Sequence, residues 1–188
     1  MDMEQKKLEV LSVLAAVLKD NRFDAKFMQG ENGSLPLTRI DLPKKGKVGV
    51  DVGIEMCFIP MPMARPNTAL LQVYVSVLSL PEIPRNYMAE LKRAVFYCND
   101  FCAIGQFGVF ERAGQVYLRH NIILNLEDEM ERIVTDICDY YSLVLASVDR
   151  FVDGLAQVAT GVATLESAMD MGLFPTFNME EEDNEMKL

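Results

Sequence analysis

The stretch CNDFCAIGQFGVFERAGQVYLRHNIIL, residues 98–124, decides the fold of this chain. It holds two cysteines four apart, Cys98 and Cys102, and the only histidine, His120. It is either a metal or redox site or a piece of scaffold. A metal site wants several thiols and imidazoles at ligand spacing, and this stretch offers one pair of thiols and no second pair. The pattern around them reads as scaffold. Residues 107–111 and 115–124 form two strands, and Arg112-Ala113-Gly114 between them supplies a hairpin loop with a glycine for positive φ. Upstream, Tyr87, Leu91, Ala94 or Val95, Cys98 and Cys102 trace one helical face, so a helix opened by Pro84 runs to a stop near Gly105. The thiols then read as small buried hydrophobes. His120 shares a strand face with Val116, Leu118, Ile122 and Leu124, which makes it a core or edge residue. No cofactor is expected.

Outward towards the N-terminus, Leu8, Leu11, Leu14 and Leu18 predict a helix over residues 3–19. Residues 23–27 alternate as a strand, and Gly30-Glu31-Asn32-Gly33 is a turn. Residues 35–42 hold at most a short strand, which Pro36 and Pro43 confine to a sheet edge. The clearest strand puts Val48, Val50, Val52, Ile54, Met56 and Phe58 on one face and Gly49, Asp51, Gly53 and Glu55 on the other. Leu71, Val73, Val75 and Val77 form the next, with Gln72, Tyr74 and Ser76 opposite. One apolar and one polar face per strand is the signature of an antiparallel sheet covered on a single side.

Outward towards the C-terminus, Asn125 and Asp128 with Glu127 to Glu131 predict a helix start. An apolar stripe then recurs every three or four residues from Leu126 to Met169. It is wide as far as Val152 and narrows beyond Gly154. Gly154 and Gly161 each weaken a helix by about 1 kcal/mol relative to Ala, so a kink or break is expected there. The domain is expected to span residues 1–153, with a helical extension over 154–172 and an acidic tail over 173–188. The expected class is α+β: an antiparallel sheet of about five strands, in the order α-β-β-β-α-β-β-α.

The 188 residues carry a formal charge of −10, which repels a phosphate backbone and argues against a nucleic-acid partner. No window is long and apolar enough to span a bilayer, no signal segment opens the chain, and the four cysteines read as reduced thiols of a cytoplasmic protein. No phosphate-loop, dinucleotide or nucleophile-elbow motif accompanies His120. Asp136, Asp139, Asp149 and Asp153 read as a solvated helix face.

Asn99, the run Gln106-Phe107-Gly108-Val109-Phe110, Gly114, Val116-Tyr117-Leu118-Arg119 and the acidic start at Glu127 to Glu131 resemble the type III secretion chaperone-like fold, and within it the YbjN-type bacterial proteins. The resemblance covers residues 8–151. It implies an α+β domain, often dimeric, that binds protein segments and has no catalytic residues to carry over. The chain departs from it in the loop from Pro60 to Pro66 and in the region after Gly154.

Two surfaces are candidates for partner binding. Met56, Phe58, Met61 and Met63 belong to a proline-broken apolar segment, which is either a loop over the domain's own core or an adaptable contact surface. Leu155, Val158, Val162 and Leu165 are either intramolecular packing or a partner seam. The expected function is therefore non-enzymatic, chaperone-like or regulatory binding of a protein or peptide, as a homodimer. The alternatives are an assembly protein docking through its C-terminal helix, or a small-ligand binder or enzyme using His120, Arg119 and Tyr117.

Overall fold

Alternating strands pair wherever their apolar faces coincide. In a computed structural model, which describes residues 2–31, 33–80 and 83–176, they do so over six antiparallel strands. The elements are α1 (Met3–Asp20), β1 (Asp24–Met28), β2 (Leu37–Lys45), β3 (Val50–Ile59), β4 (Thr68–Ser79), α2 (Arg85–Asn99), β5 (Gln106–Phe110), β6 (Gln115–Asn125), α3 (Met130–Ala159) and α4 (Leu165–Asp170). The spatial order is β1-β2-β3-β4-β6-β5. The α+β class stands as expected, with one strand more before α2.

The extra strand is the one that proline was expected to confine to an edge. β2 lies between β1 and β3. Its register steps from Leu42–Val52 to Lys45–Val50, so two residues, Pro43 and Lys44, face one. At this bulge Lys44 takes φ 56° and its N–H bonds the Asp51 carboxylate at 3.1 Å. Proline's missing donor costs nothing where the ladder is already interrupted.

The four described α-helices all cover one face. α1 lies against β1 and β2, α3 crosses β4 and β6, and α2 packs on β5 and α3. Val52, Ile54, Met56, Leu71, Val73, Val75, Leu118 and Ile122 point into this layer and meet Leu11, Leu14, Ile137, Val144 and Phe151. Thr38 is buried among them, and its hydroxyl donates to the Leu11 carbonyl at 2.7 Å, which ties α1 to β2. The opening stretch is a helix end followed by two paired strands, as expected. The helix ends at Asn99, earlier than Gly105. The Asn99 side chain accepts from the Phe107 N–H at 2.7 Å and donates to the Phe107 carbonyl at 3.2 Å.

The last helix differs from expectation at both ends. Asn125 and Asp128 form a turn before it, in which Asn125 Oδ1 accepts from the Glu127 N–H at 3.2 Å, and α3 begins at Met130. Gly154 lies inside α3 with no break. The stop is at Gly161 (φ 73°), where Val162 N–H bonds Gln157 O and Gly161 N–H bonds Val158 O, the six-to-one and five-to-two pattern of a Schellman end. α4 then folds back onto α2 and α3. Residues 155–174 therefore complete the same apolar cluster as the rest of the chain: Leu155, Val158, Leu165, Ala168 and Phe174 are all buried in it. The acidic run at residues 180–183 lies outside the described residues.

Phe174 explains Gly154. The Phe174 ring stacks against Phe151 and stands where a Gly154 side chain would be, 2.6 Å from an ideal Cβ. Gly154→Ala is expected to lower unfolding free energy by about 1–2 kcal/mol through overpacking. Phe174→Ala is expected to cost about 3–5 kcal/mol. In the Phe174→Ala background the same Gly154→Ala change should instead stabilise by about 1 kcal/mol, its helix-propensity gain. Denaturant titration of the four chains measures this reversal of sign.

Candidate functional site

The site is a fork in the sheet. β3 and β4 pair from Ile59–Leu70 to Gly53–Ser76, and there their mutual pairing ends. Both strands continue: β3 still pairs β2 through Val52 and Val50, and β4 still pairs β6 through Leu78 and Ser79. A bulge between Ser76 and Leu78 causes the parting. It adds Val77, so that Val77 and Leu78 are both buried and the end of β4 follows β6 away from β3. Among the described residues the facing backbone edges of residues 50–52 and 77–79 have no ladder partners on that side.

A cleft flanks the fork on each face of the sheet. On the helix side, a cleft of ≈ 470 Å³ is lined by Val48, Val50, Leu78, Leu80, Ala156 and Val162, with Gln157 and Thr160 as its polar groups. Val162 is 73% exposed at its rim. On the uncovered side, a second cleft of ≈ 510 Å³ lies over Gly53 and Ser76, with Arg39, Asp41 and Asp51 around it. Arg39 there bonds Asp41 at 3.0 Å and Glu55 at 2.8 Å.

The turn between β2 and β3 forms one wall of the apolar cleft, and α3 holds that turn. Asp153 Oδ1 accepts the Val48 N–H at 3.0 Å, and Lys45 pairs with Asp149. Two of the carboxylates expected to be merely solvated thus fix the hairpin. The spacing of Asp149 and Asp153 placed both on one helix face; that the lysine-rich turn lies beneath them follows only from tertiary packing.

The eight residues expected at a partner surface separate. Met56 and Phe58 sit on the apolar face of β3 and are buried, as alternation requires. Leu155, Val158 and Leu165 are buried in the chain's own core, because α4 turns back at Gly161. These five pack within the chain's own core, Met56 and Phe58 from the proline-broken segment and Leu155, Val158 and Leu165 from the stripe weighed as a seam. Met61 is 57% exposed and Met63 half-buried beyond the end of β3, away from the fork. Val162 alone of the eight borders the apolar cleft. The signal for the fork itself, two buried residues in succession at Val77 and Leu78, is indistinguishable in sequence from an ordinary apolar strand end.

The thiols and the imidazole do not converge. Cys98 is buried in the last turn of α2, and burial pushes its thiol well above the ordinary range. Cys102 is half-buried past the helix end, where burial raises it and Ser147 and Arg150 pull it back. Among the described residues no group of His, Cys, Asp and Glu is placed to hold a metal ion. His120 faces the helices and lies against Tyr140, ring centroids 5.3 Å apart. Its strand neighbour Arg119 is exposed, and Tyr117 stacks on Tyr74 across the uncovered face. Neighbours in a strand point to opposite faces, so His120 cannot share a site with Arg119. No described helix is long and apolar enough to cross a membrane. Compared with models of known protein families and with curated proteins, the chain matches none.

Burial holds His120 below its usual pKa, and its Nε2 is buried without a hydrogen-bond partner among the described residues. The unfolded chain therefore binds this proton more readily than the folded one. Its contribution is fully present above the unfolded pKa, near 6.5, and is lost as pH falls through the lower folded value. His120→Leu should flatten the fall in melting temperature between about pH 7 and pH 5 relative to the parent. Asp153→Ala should cost about 1 kcal/mol by freeing the Val48 N–H, and amide exchange should accelerate at Val48 before the rest of the sheet.

Proposed function

We propose that this chain is a non-enzymatic protein-binding domain that takes an extended apolar segment of a partner at the β3–β4 fork, and that it works as a homodimer. The observation that carries this is the coincidence of two features at one place: strand edges with no ladder partner, and an apolar cleft directly beneath them. An extended segment would bond its backbone to the free edge of β3 or β4 and drop alternate side chains into the cleft, which is strand addition with a pocket for specificity. The cleft's volume suits a few aliphatic side chains rather than a polar substrate. The charge of −10 favours a neutral or basic segment over an acidic one. The resemblance to secretion chaperones agrees with binding of extended partner segments.

Fluorescence anisotropy with labelled peptides alternating Val or Leu with Thr and Lys tests the reading. The parent should bind them, and Val162→Asp should weaken binding at least about tenfold, some 1.4 kcal/mol. Amide shifts on binding should concentrate at Val50, Leu78 and Leu80. Equal binding by parent and Val162→Asp, or shifts confined to the other end of the sheet, would defeat it.

A further inference from the structure

Among the described residues one face of the six strands carries no helix, and the register makes that face a lattice of rows. One row reads Lys26, Arg39, Glu55, Tyr74, Arg119, Gln106 across the six strands. The row on one side is Asp24, Asp41, Gly53, Ser76, Tyr117, Gly108. The rows on the other side are apolar in part: Met28, Leu37 and Cys57 lead to Gln72 and Asn121, and Ile59, Leu70 and Ile123 follow. Ile123, on the last strand of this apolar end, is 66% exposed. Among the described residues Arg119 has no ion-pair partner, whereas Lys26 and Arg39 each have one or more.

We infer that a second copy of this chain covers this face, about a two-fold axis running along β4. The inference names the partner in the dimeric part of the preceding reading and does not depend on the apolar cleft. Two sheets packed face to face keep their strands within about 30° of each other, so rows near the centre stay in register. An axis along β4 opposes β3 of one copy to β6 of the other. Glu55 then meets the partner's Arg119, and Arg119 the partner's Glu55. Ile59 meets Ile123, and Leu70 meets its own copy on the axis. The Tyr117 ring, which lies over Gly108, meets the depression at Gly53, where the partner's Arg39 guanidinium offers a flat cationic face.

Other axes parallel to the strands fail on charge or on coverage. An axis along β3 sets Glu55 on Glu55, one along β6 sets Arg119 on Arg119, and one between β3 and β4 sets Arg39 on Arg119; like charges directly opposed are destabilising. An axis between β2 and β3 leaves Leu70 and Ile123 uncovered. One between β4 and β6 leaves Arg119 without a carboxylate. Rows about 6.8 Å apart on strands about 4.8 Å apart make the shared face roughly 550 Å² per copy. The total, roughly 1,100 Å², lies close to the lower end of specific dimer interfaces, about 1,200 Å².

Light scattering on size-exclusion chromatography tests the inference at ~100 µM chain, a concentration at which a micromolar dimer is populated. The parent should be a dimer. Ile123→Asp, Arg119→Glu and Glu55→Arg should each be monomeric. Mixing Arg119→Glu with Glu55→Arg should restore dimer, because the heterodimer has one reversed and one original charge pair. A monomeric parent, or a dimer that survives both Ile123→Asp and Arg119→Glu, overturns the inference; two monomers that stay apart on mixing overturn the β4 axis. If Ile123→Asp alone fails to fold, the mixing result still decides. Val162→Asp should remain dimeric, so loss of peptide binding and loss of the dimer are read separately.

Discussion

An antiparallel ladder can release one neighbour only if each strand keeps another. The single inserted residue at Val77 sets that condition here: β4 leaves β3 after Gly53–Ser76 and stays bonded to β6, while β3 stays bonded to β2. The inserted residue also turns Leu78 inwards, which supplies the floor of the apolar cleft. Fork and cleft therefore share one cause. The β2 bulge at Pro43 and Lys44 lies close by and lets the hairpin turn lean on α3, where Asp149 and Asp153 hold it. An opening in a sheet is ordinarily a weakness, since peptide groups without partners in a dry place cost free energy. Here it borders the cleft lined by Val50, Leu78 and Val162.

The C-terminal part of the core is governed by a different balance. A glycine in mid-helix costs about 1 kcal/mol, and a buried phenylalanine contributes several times that. Gly154 makes the space that Phe174 fills. Helix propensity loses locally and packing wins, which is why α3 runs on to Ala159 and the actual stop waits for Gly161, whose positive φ a Schellman end requires.

The sequence was legible where a periodic face decides the outcome. Val52 to Phe58, Leu71 to Val77 and Ile133 to Val158 are buried as their spacing predicts. It was misleading where a residue's usual cost was cancelled by its setting. Pro43 does not exile β2 to an edge, because it sits where no ladder bond is made. Gly154 does not break α3, because an aromatic ring needs its missing side chain. Leu155, Val158 and Leu165 looked surplus to a finished domain, yet the chain doubles back and uses them. Of the candidate site, Val162 was read in advance. The remainder of the fork came from a one-residue insertion between apolar neighbours, and apolar neighbours carry no mark of which of them is the extra one.

A sheet ends in two rows of backbone donors and acceptors, and an unguarded row recruits strands from any chain with a similar gap. At the β5 margin the amide of Asn99 occupies both groups of Phe107, imitating a short seventh strand with one side chain. The β1 margin is five residues long and carries Asp24 and Lys26. Both outer margins are thus closed to fibril-like stacking. Uncontrolled growth is suppressed at the rims of the sheet, while the fork parts two strands in its interior.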